Sequence, residues 1–292
     1  MDLADLASLQ PQHLRALVPA YLASYIEDAD LRERNLERIT SRVRAWSDET
    51  CEELLRRLQE LGSSERLYDP HPEARGLSRD WMRDVVEDVQ IEGLEHVRDV
   101  PGPVIVIANH LSYVDSTAVD CALVWSGAED VANSLVSIAG PKVYQDTFRR
   151  IATSCIATLP VPQSASVATD EAAVSMREVA RRAIRSIRAA HALVLAGRRL
   201  LIFAEGSRSR TGHLGPFLSG VHRYLGVDGA FVVPLAIVGT QHLMPVGQDR
   251  LRPGRLALTF GTPIAVGGQP KDALEAAHGA LASLLPPDQR PQ

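Results

Sequence analysis

The chain has 292 residues, of which 45% are hydrophobic and 23% charged, so it can bury a sizeable core and is not a disordered polypeptide. Its formal charge of -5 excludes a polybasic nucleic-acid binder. Cys51, Cys121 and Cys155 stand far apart with no CxxC spacing, which excludes a disulfide framework or a cysteine zinc site and favours a reducing compartment.

The charge is unevenly spread. Residues 1–100 hold 13 Lys+Arg against 22 Asp+Glu, leaving 18 against 14 for residues 101–292. An acidic front and a mildly basic back point to two parts, 1–88 and 89–292, with the second suited to an anionic substrate. The front part reads as helical. Leu14, Leu17, Val18, Tyr21 and Leu22 recur at helical spacing. A long helix follows over 31–61, with Leu36, Ile39, Val43, Trp46, Leu54, Leu55 and Leu58 on its apolar side, stopped by Gly62-Ser63-Ser64. Asp69-Pro70-His71-Pro72 is a loop, and a short helix is expected over 78–88.

From residue 89 the texture changes to short apolar runs separated by helical segments. Strands are expected at 103–108, 134–138, 200–204, 231–238 and 256–260, and helices at 113–125, 142–152, 171–196 and 271–285. That alternation predicts an α/β sheet with helices on its faces, preceded by an N-terminal helical domain. In such sheets ligands favour the loops at the carboxyl ends of strands. No basic segment leads an apolar core at the N-terminus, so no signal peptide is read. The run Val104-Ile105-Val106-Ile107-Ala108 falls far short of the roughly 20 residues of a membrane span.

Two loops at strand ends carry the chemistry. In Asn109-His110-Leu111-Ser112-Tyr113-Val114-Asp115 a strand ends, His110 lies on the turn and a helix begins. A carboxylate returned to the imidazole would fix the ring tautomer and stabilise an imidazolium, as a general base needs. The same residues also fit a plain helix start, with Ser112 as N-cap, Asp115 favoured by the helix dipole and His110 as a turn residue. In the second loop, Glu205-Gly206-Ser207-Arg208-Ser209-Arg210-Thr211-Gly212, glycines let backbone N–H groups approach an anion and arginines grip phosphate with paired hydrogen bonds. The bland alternative is a polar turn with Glu205 paired to an arginine.

Together the two loops resemble the glycerolipid acyltransferase family, the glycerol-3-phosphate and 1-acylglycerol-3-phosphate O-acyltransferases of NH-x4-D type. Asn109-His110 with Asp115 matches its first motif, and Glu205-Gly206-Ser207-Arg208-Ser209 matches its third. Gly93-Leu94, Phe217-Leu218-Ser219-Gly220, Val233-Pro234-Leu235-Ala236 with Gly239-Thr240, and Gly261-Thr262-Pro263-Ile264 extend the likeness over residues 91–268. The resemblance implies a mixed central sheet flanked by helices, as in glycerol-3-phosphate acyltransferases. It implies transfer of a fatty acyl group from acyl-CoA or acyl carrier protein to a hydroxyl of glycerol 3-phosphate or 1-acylglycerol 3-phosphate in phospholipid synthesis. No metal or other cofactor is implied. His110 would be the base and Asp115 its orienting partner. Glu205, Gly206, Ser207, Arg208 and Arg210 would place the acceptor and its phosphate, and Pro234 would shape the acyl-carrier side. The arginine of the family's second motif is missing from 155–163; Lys142, Arg149 and Arg150 are nearby cations able to replace it, and Lys142 is added to the phosphate-binding set.

Other readings stay open: another lysophospholipid or a specialised alcohol as acceptor, or a non-catalytic homologue that binds lipid or acyl carrier. Arg177, Arg181, Arg185 and Arg188, with Arg182 beside them, form a helical face for an acidic carrier protein, anionic lipid headgroups or plain solvent. His13, His191, His222 and the three tryptophans are read as structural. A cytoplasmic protein, peripheral at the inner membrane face, is expected.

Overall fold

A computed structural model describes residues 9–62, 66–161 and 176–292. Four helices open the chain: α1 (Pro11–Ala23), α2 (Ala29–Arg44), α3 (Asp48–Glu60) and α4 (Pro72–Arg83). The single helix expected over 31–61 is two. Ser47 breaks it, because its side chain accepts the Thr50 N–H and caps a new helix whose first turn holds Asp48 and Glu49. Helix α4 begins earlier than expected, since Pro72 is well placed at the first helical position after His71, whose ring accepts the Glu73 N–H. Ser63 and Ser64 of the expected helix stop lie outside the described residues.

Next come β1 (Val86–Glu92), α5 (Glu95–Arg98), β2 (Val104–Ala108), α6 (Asp115–Trp125), α7 (Glu129–Ser134) and β3 (Leu135–Ala139). A 3-10 turn (Pro141–Tyr144), α8 (Thr147–Thr153) and β4 (Thr158–Pro160) follow. The remainder is α9 (Met176–Leu195), β5 (Arg199–Phe203), a 3-10 segment (Ser219–Leu225), β6 (Phe231–Val238), α10 (Thr240–Leu243), β7 (Gly254–Phe260), β8 (Ile264–Ala265), α11 (Pro270–Leu284) and a 3-10 turn (Pro287–Gln289). The helix expected over 142–152 is split, because Asp146 accepts the Arg149 N–H and starts α8 afresh. Residues 171–175 of the helix expected over 171–196 lie outside the described residues.

The strands form one mixed sheet in the order β1-β7-β6-β2-β5-β3-β4, with β8 paired to β6. Five neighbouring pairs are parallel, while β7 and β8 run antiparallel to β6. Strand β2 is apolar throughout because both of its faces are covered. Val104, Val106 and Ala108 point into the core shared with α1–α4 and α6, whereas Ile105 and Ile107 point into the core under α9 and α11. The helical layer and the sheet thus share one continuous apolar core. The boundary expected between 88 and 89 falls inside β1, which pairs with β7 from Val86 onward. The strands β2, β3, β5 and β6 all end on the same edge of the sheet, and both chemistry-bearing loops leave from there.

Candidate active site

The His110 turn is fixed from three sides. Asn109, buried at the end of β2, donates to the Ile237 carbonyl and accepts the Ile237 N–H, both at 2.8 Å. Its amide side chain thereby mimics a strand backbone and continues the ladder to β6. The Ser209 N–H donates to the His110 carbonyl at 2.7 Å. Glu205 accepts the His110 N–H at 2.8 Å on one oxygen and the Gly215 N–H at 2.9 Å on the other.

Asp115 is the first residue of α6 and is fully buried. Its Oδ2 lies 2.7 Å from His110 Nδ1 and accepts the N–H groups of Leu111 at 2.7 Å and Ser112 at 3.0 Å. Two backbone donors and the ring nitrogen therefore converge on one oxygen, which fixes Nδ1 as the protonated nitrogen. The His110 side chain is 21% exposed, and its Nε2 makes no hydrogen bond among the described residues. The ring stacks on Phe203, the last residue of β5, with centroids 4.3 Å apart. Ser112 does not cap α6 in the expected way: its hydroxyl donates to the Met244 carbonyl at 2.9 Å, and the cap position belongs to Val114.

The second loop leaves β5 through Gly206, whose φ of +71° suits glycine. A Cβ there would also collide with Leu218. Arg208 is half-buried, and its guanidinium carbon lies 3.3 Å from the centre of the Tyr113 ring. Burial pushes the Arg208 guanidinium down from its ordinary range, and the nearby Arg149 guanidinium adds to that shift. Ser207 and Arg210 are exposed and make no side-chain hydrogen bond or ion pair among the described residues. Lys142 is exposed on the 3-10 turn after β3, where its carbonyl accepts from Arg149 at 3.4 Å. Pro234 is buried within β6, in register with Ile107, at the point where β6 exchanges β8 for β7 as its antiparallel partner. Its carbonyl accepts the Gly261 N–H at 2.8 Å. The structure therefore brings His110, Asp115, Glu205, Gly206 and Arg208 together, and places Pro234 inside the sheet rather than at its edge.

A family model described as Acyltransferase matches residues 88–238, more than half of the chain. The chain belongs to the acyltransferase family. Among its relatives, a 1-acyl-sn-glycerol-3-phosphate acyltransferase of Chlamydomonas reinhardtii is 27% identical over 202 residues, covering 68% of this chain and 54% of that protein. A chloroplastic 1-acyl-sn-glycerol-3-phosphate acyltransferase of Arabidopsis thaliana is 24% identical over 198 residues, covering 68% of this chain and 46% of that one. The chain thus spans about half the length of these curated relatives. The crystal structure of the 1-acyl-sn-glycerophosphate (LPA) acyltransferase PlsC from Thermotoga maritima superposes with a TM-score of 0.47 at 18% identity, over 94% of this chain and 98% of that one.

Within this acyltransferase-family chain, Glu205 is engaged as a staple between the His110 turn and the Gly215 loop. Burial pushes its carboxyl up, against the pull of the Gly215 and His110 N–H groups. Glu205→Gln leaves one acceptor oxygen for two N–H donors and sets an amide N–H against one of them. An unsatisfied buried donor costs about 1–3 kcal/mol. The variant is expected to melt a few degrees lower, at roughly 2–4 °C per kcal/mol, and to lose activity as the His110 turn loosens. An unchanged melt and turnover would remove the staple role.

Three contributors were not singled out in the sequence. Asn109 stands inside the first motif, but its pairing with Ile237 spans 128 residues. Phe203 reads only as a strand residue, and Tyr113 only as the start of a helix. Of the cations near the incomplete second motif, Arg150 is used structurally, donating to the carbonyls of Tyr144, Leu58 and Gln59. Arg149 instead lies over Tyr113, with its guanidinium carbon 4.3 Å from the ring centre. On α9, Glu178 pairs with Arg181, Arg182 and Arg185 and so offsets part of that helix's charge. No group of three or more His, Cys, Asp or Glu residues able to hold a metal ion occurs among the described residues.

Proposed function

We propose that the chain transfers a fatty acyl group from a thioester, acyl-CoA or acyl carrier protein, to the free hydroxyl of 1-acylglycerol 3-phosphate. The observation that carries this reading is the 2.7 Å contact between His110 Nδ1 and the buried Asp115 carboxylate. It leaves Nε2 as the basic nitrogen on the partly exposed side of the ring. The names of the Chlamydomonas and Arabidopsis relatives favour the monoacylated acceptor over glycerol 3-phosphate.

In the proposed reaction, His110 Nε2 takes the acceptor's hydroxyl proton as the oxygen attacks the thioester carbon. Asp115 stabilises the imidazolium that forms. The tetrahedral intermediate expels the thiolate, which recovers the proton from His110. An ester and a free thiol result, and no acyl-enzyme is needed. Arg208 holds the acceptor's phosphate beside the base, which makes the attack effectively intramolecular. Among the described residues no helix is long and apolar enough to cross a membrane. The acceptor is a membrane lipid, so the reading includes peripheral contact with a lipid surface, for which the exposed Arg177 and Arg188 of α9 are suited.

The test is a panel of purified protein with glycerol 3-phosphate, lysophosphatidate and lysophosphatidylcholine, each with acyl-CoA and with acyl carrier protein, read by mass spectrometry. Phosphatidate from lysophosphatidate is the expected product. Product from glycerol 3-phosphate alone would reassign the acceptor. No product from any pair would leave a lipid- or carrier-binding protein.

A further inference from the structure

We infer that Arg149 is the second phosphate-binding cation of the acceptor site, and that it selects a terminal phosphomonoester over a phosphodiester headgroup. This rests on the acyl-transfer reading above. Three elements converge on Tyr113: the turn after β2 that carries it, the loop after β5 with Arg208, and α8 with Arg149. Both guanidinium carbons lie over the one ring, at 3.3 Å and 4.3 Å from its centre.

Neither cation forms an ion pair with a carboxylate among the described residues. In this they differ from Arg15, Arg38, Arg42, Arg79, Arg98 and Arg252, which have carboxylate partners. Of the acidic groups near Arg208, Asp115 is committed to His110, and Asp249 acts on Arg208 without pairing with it. Asp146 is turned to its own helix, accepting the Arg149 backbone N–H at 3.0 Å. Two like charges packed against one ring repel each other, and a bound anion relieves that repulsion.

Arg149 is also held in place before any acceptor arrives. Phe148, the preceding residue, stacks on Tyr25, two residues past α1, at 4.1 Å and meets Trp81 of α4 edge-on at 5.7 Å. Arg150, the following residue, ties α8 to the end of α3. The N-terminal helices therefore aim α8, with Arg149 on the side that faces Tyr113. A terminal phosphomonoester carries about −1.5 to −2 charges at neutral pH, whereas a phosphodiester carries one. Two uncompensated guanidiniums match the first and overmatch the second.

The experiment measures steady-state kinetics of Arg149→Ala and Arg149→Met, varying lysophosphatidate, lysophosphatidylcholine and the donor separately. Lysophosphatidate KM is expected to rise about tenfold, which corresponds to the loss of one charge-assisted contact. The donor KM should stay unchanged, and the preference for lysophosphatidate over lysophosphatidylcholine should shrink by a similar factor. Arg149→Lys should restore part of that preference, because it keeps the charge without the planar fork. Arg56→Ala is the control: Arg56 is exposed on α3, pairs with Glu53 and Glu60, and its loss should leave the acceptor preference intact. The inference is overturned if lysophosphatidate KM is unchanged in Arg149→Met, or if KM rises equally for both acceptors. Should the unmodified protein transfer nothing to lysophosphatidate, the acyl-transfer reading fails by itself. Arg149 is then judged by glycerol 3-phosphate binding, measured as a melting-temperature shift: present in the unmodified protein and lost in Arg149→Met if the inference stands, and equal in both if it does not.

Discussion

His110→Ala is expected to lower kcat by about 10²–10⁴-fold, the usual worth of a positioned general base. The loss should fall on turnover rather than on acceptor KM, because the proposed phosphate contacts come from arginines on other elements and not from the ring. Folding should be little affected. The ring stacks on Phe203 and is partly exposed, while the backbone bonds to Glu205 and Ser209 and the Asn109 side-chain bonds to Ile237 that seat the turn do not involve it. Single-turnover and steady-state rates, with circular dichroism as the fold check, decide the matter. A folded His110→Ala protein with near-normal turnover would show that another group removes the proton.

Asp115→Asn is expected to have a comparable effect for a separable reason. Asp115 Oδ2 both receives the His110 ring nitrogen and satisfies the N–H groups of Leu111 and Ser112. Removing the side chain in Asp115→Ala strands two backbone donors in a buried position, at about 1–3 kcal/mol each. Lost activity in that variant would therefore mix chemistry with misfolding. Asparagine keeps an acceptor oxygen for the backbone and removes the charge that stabilises the imidazolium. A fall in kcat of about 10²–10⁴-fold is the expected pattern, by analogy with triad aspartates, with a melting temperature a few degrees lower because the amide NH2 takes the place of the buried, unpartnered Oδ1. If Asp115→Asn retains most of its turnover, the carboxylate is there for the turn's architecture and not for the base.

The parts of this molecule that were legible in the sequence are those whose signal is local. Strand β6 (Phe231–Val238) was bounded by its apolar run, and β2, β3, β5 and β7 were located to within one or two residues. Strand β1 was missed because its sequence, Val86 to Glu92, places charged or polar side chains at most positions of a sheet edge. Only pairing with β7 makes it a strand. The short β4 is likewise defined by its neighbour β3. At the site, His110, Asp115 and the Glu205–Arg208 stretch were visible as motifs, since each pair lies within a few residues. The roles of Glu205, Asn109 and Tyr113 were not, because their partners lie 95, 128 and several dozen residues away and meet only when the sheet assembles. Whether an arginine near α8 faces the site or the helical layer depends on how Phe148 and Arg150 pack, and no local pattern encodes that.

The double hydrogen bond between the Asn109 side chain and Ile237 has a consequence for local stability. A turn such as that of His110 would ordinarily fluctuate as loops do, opening far more cheaply than the strands beneath it. Here a side chain substitutes for the next rung of the β2–β6 ladder, and the Ser209 and Glu205 bonds tie the same turn to the loop that follows β5. The His110 turn thereby joins the cooperative unit of the central strands. Breathing that exposes it must begin to unzip the sheet itself.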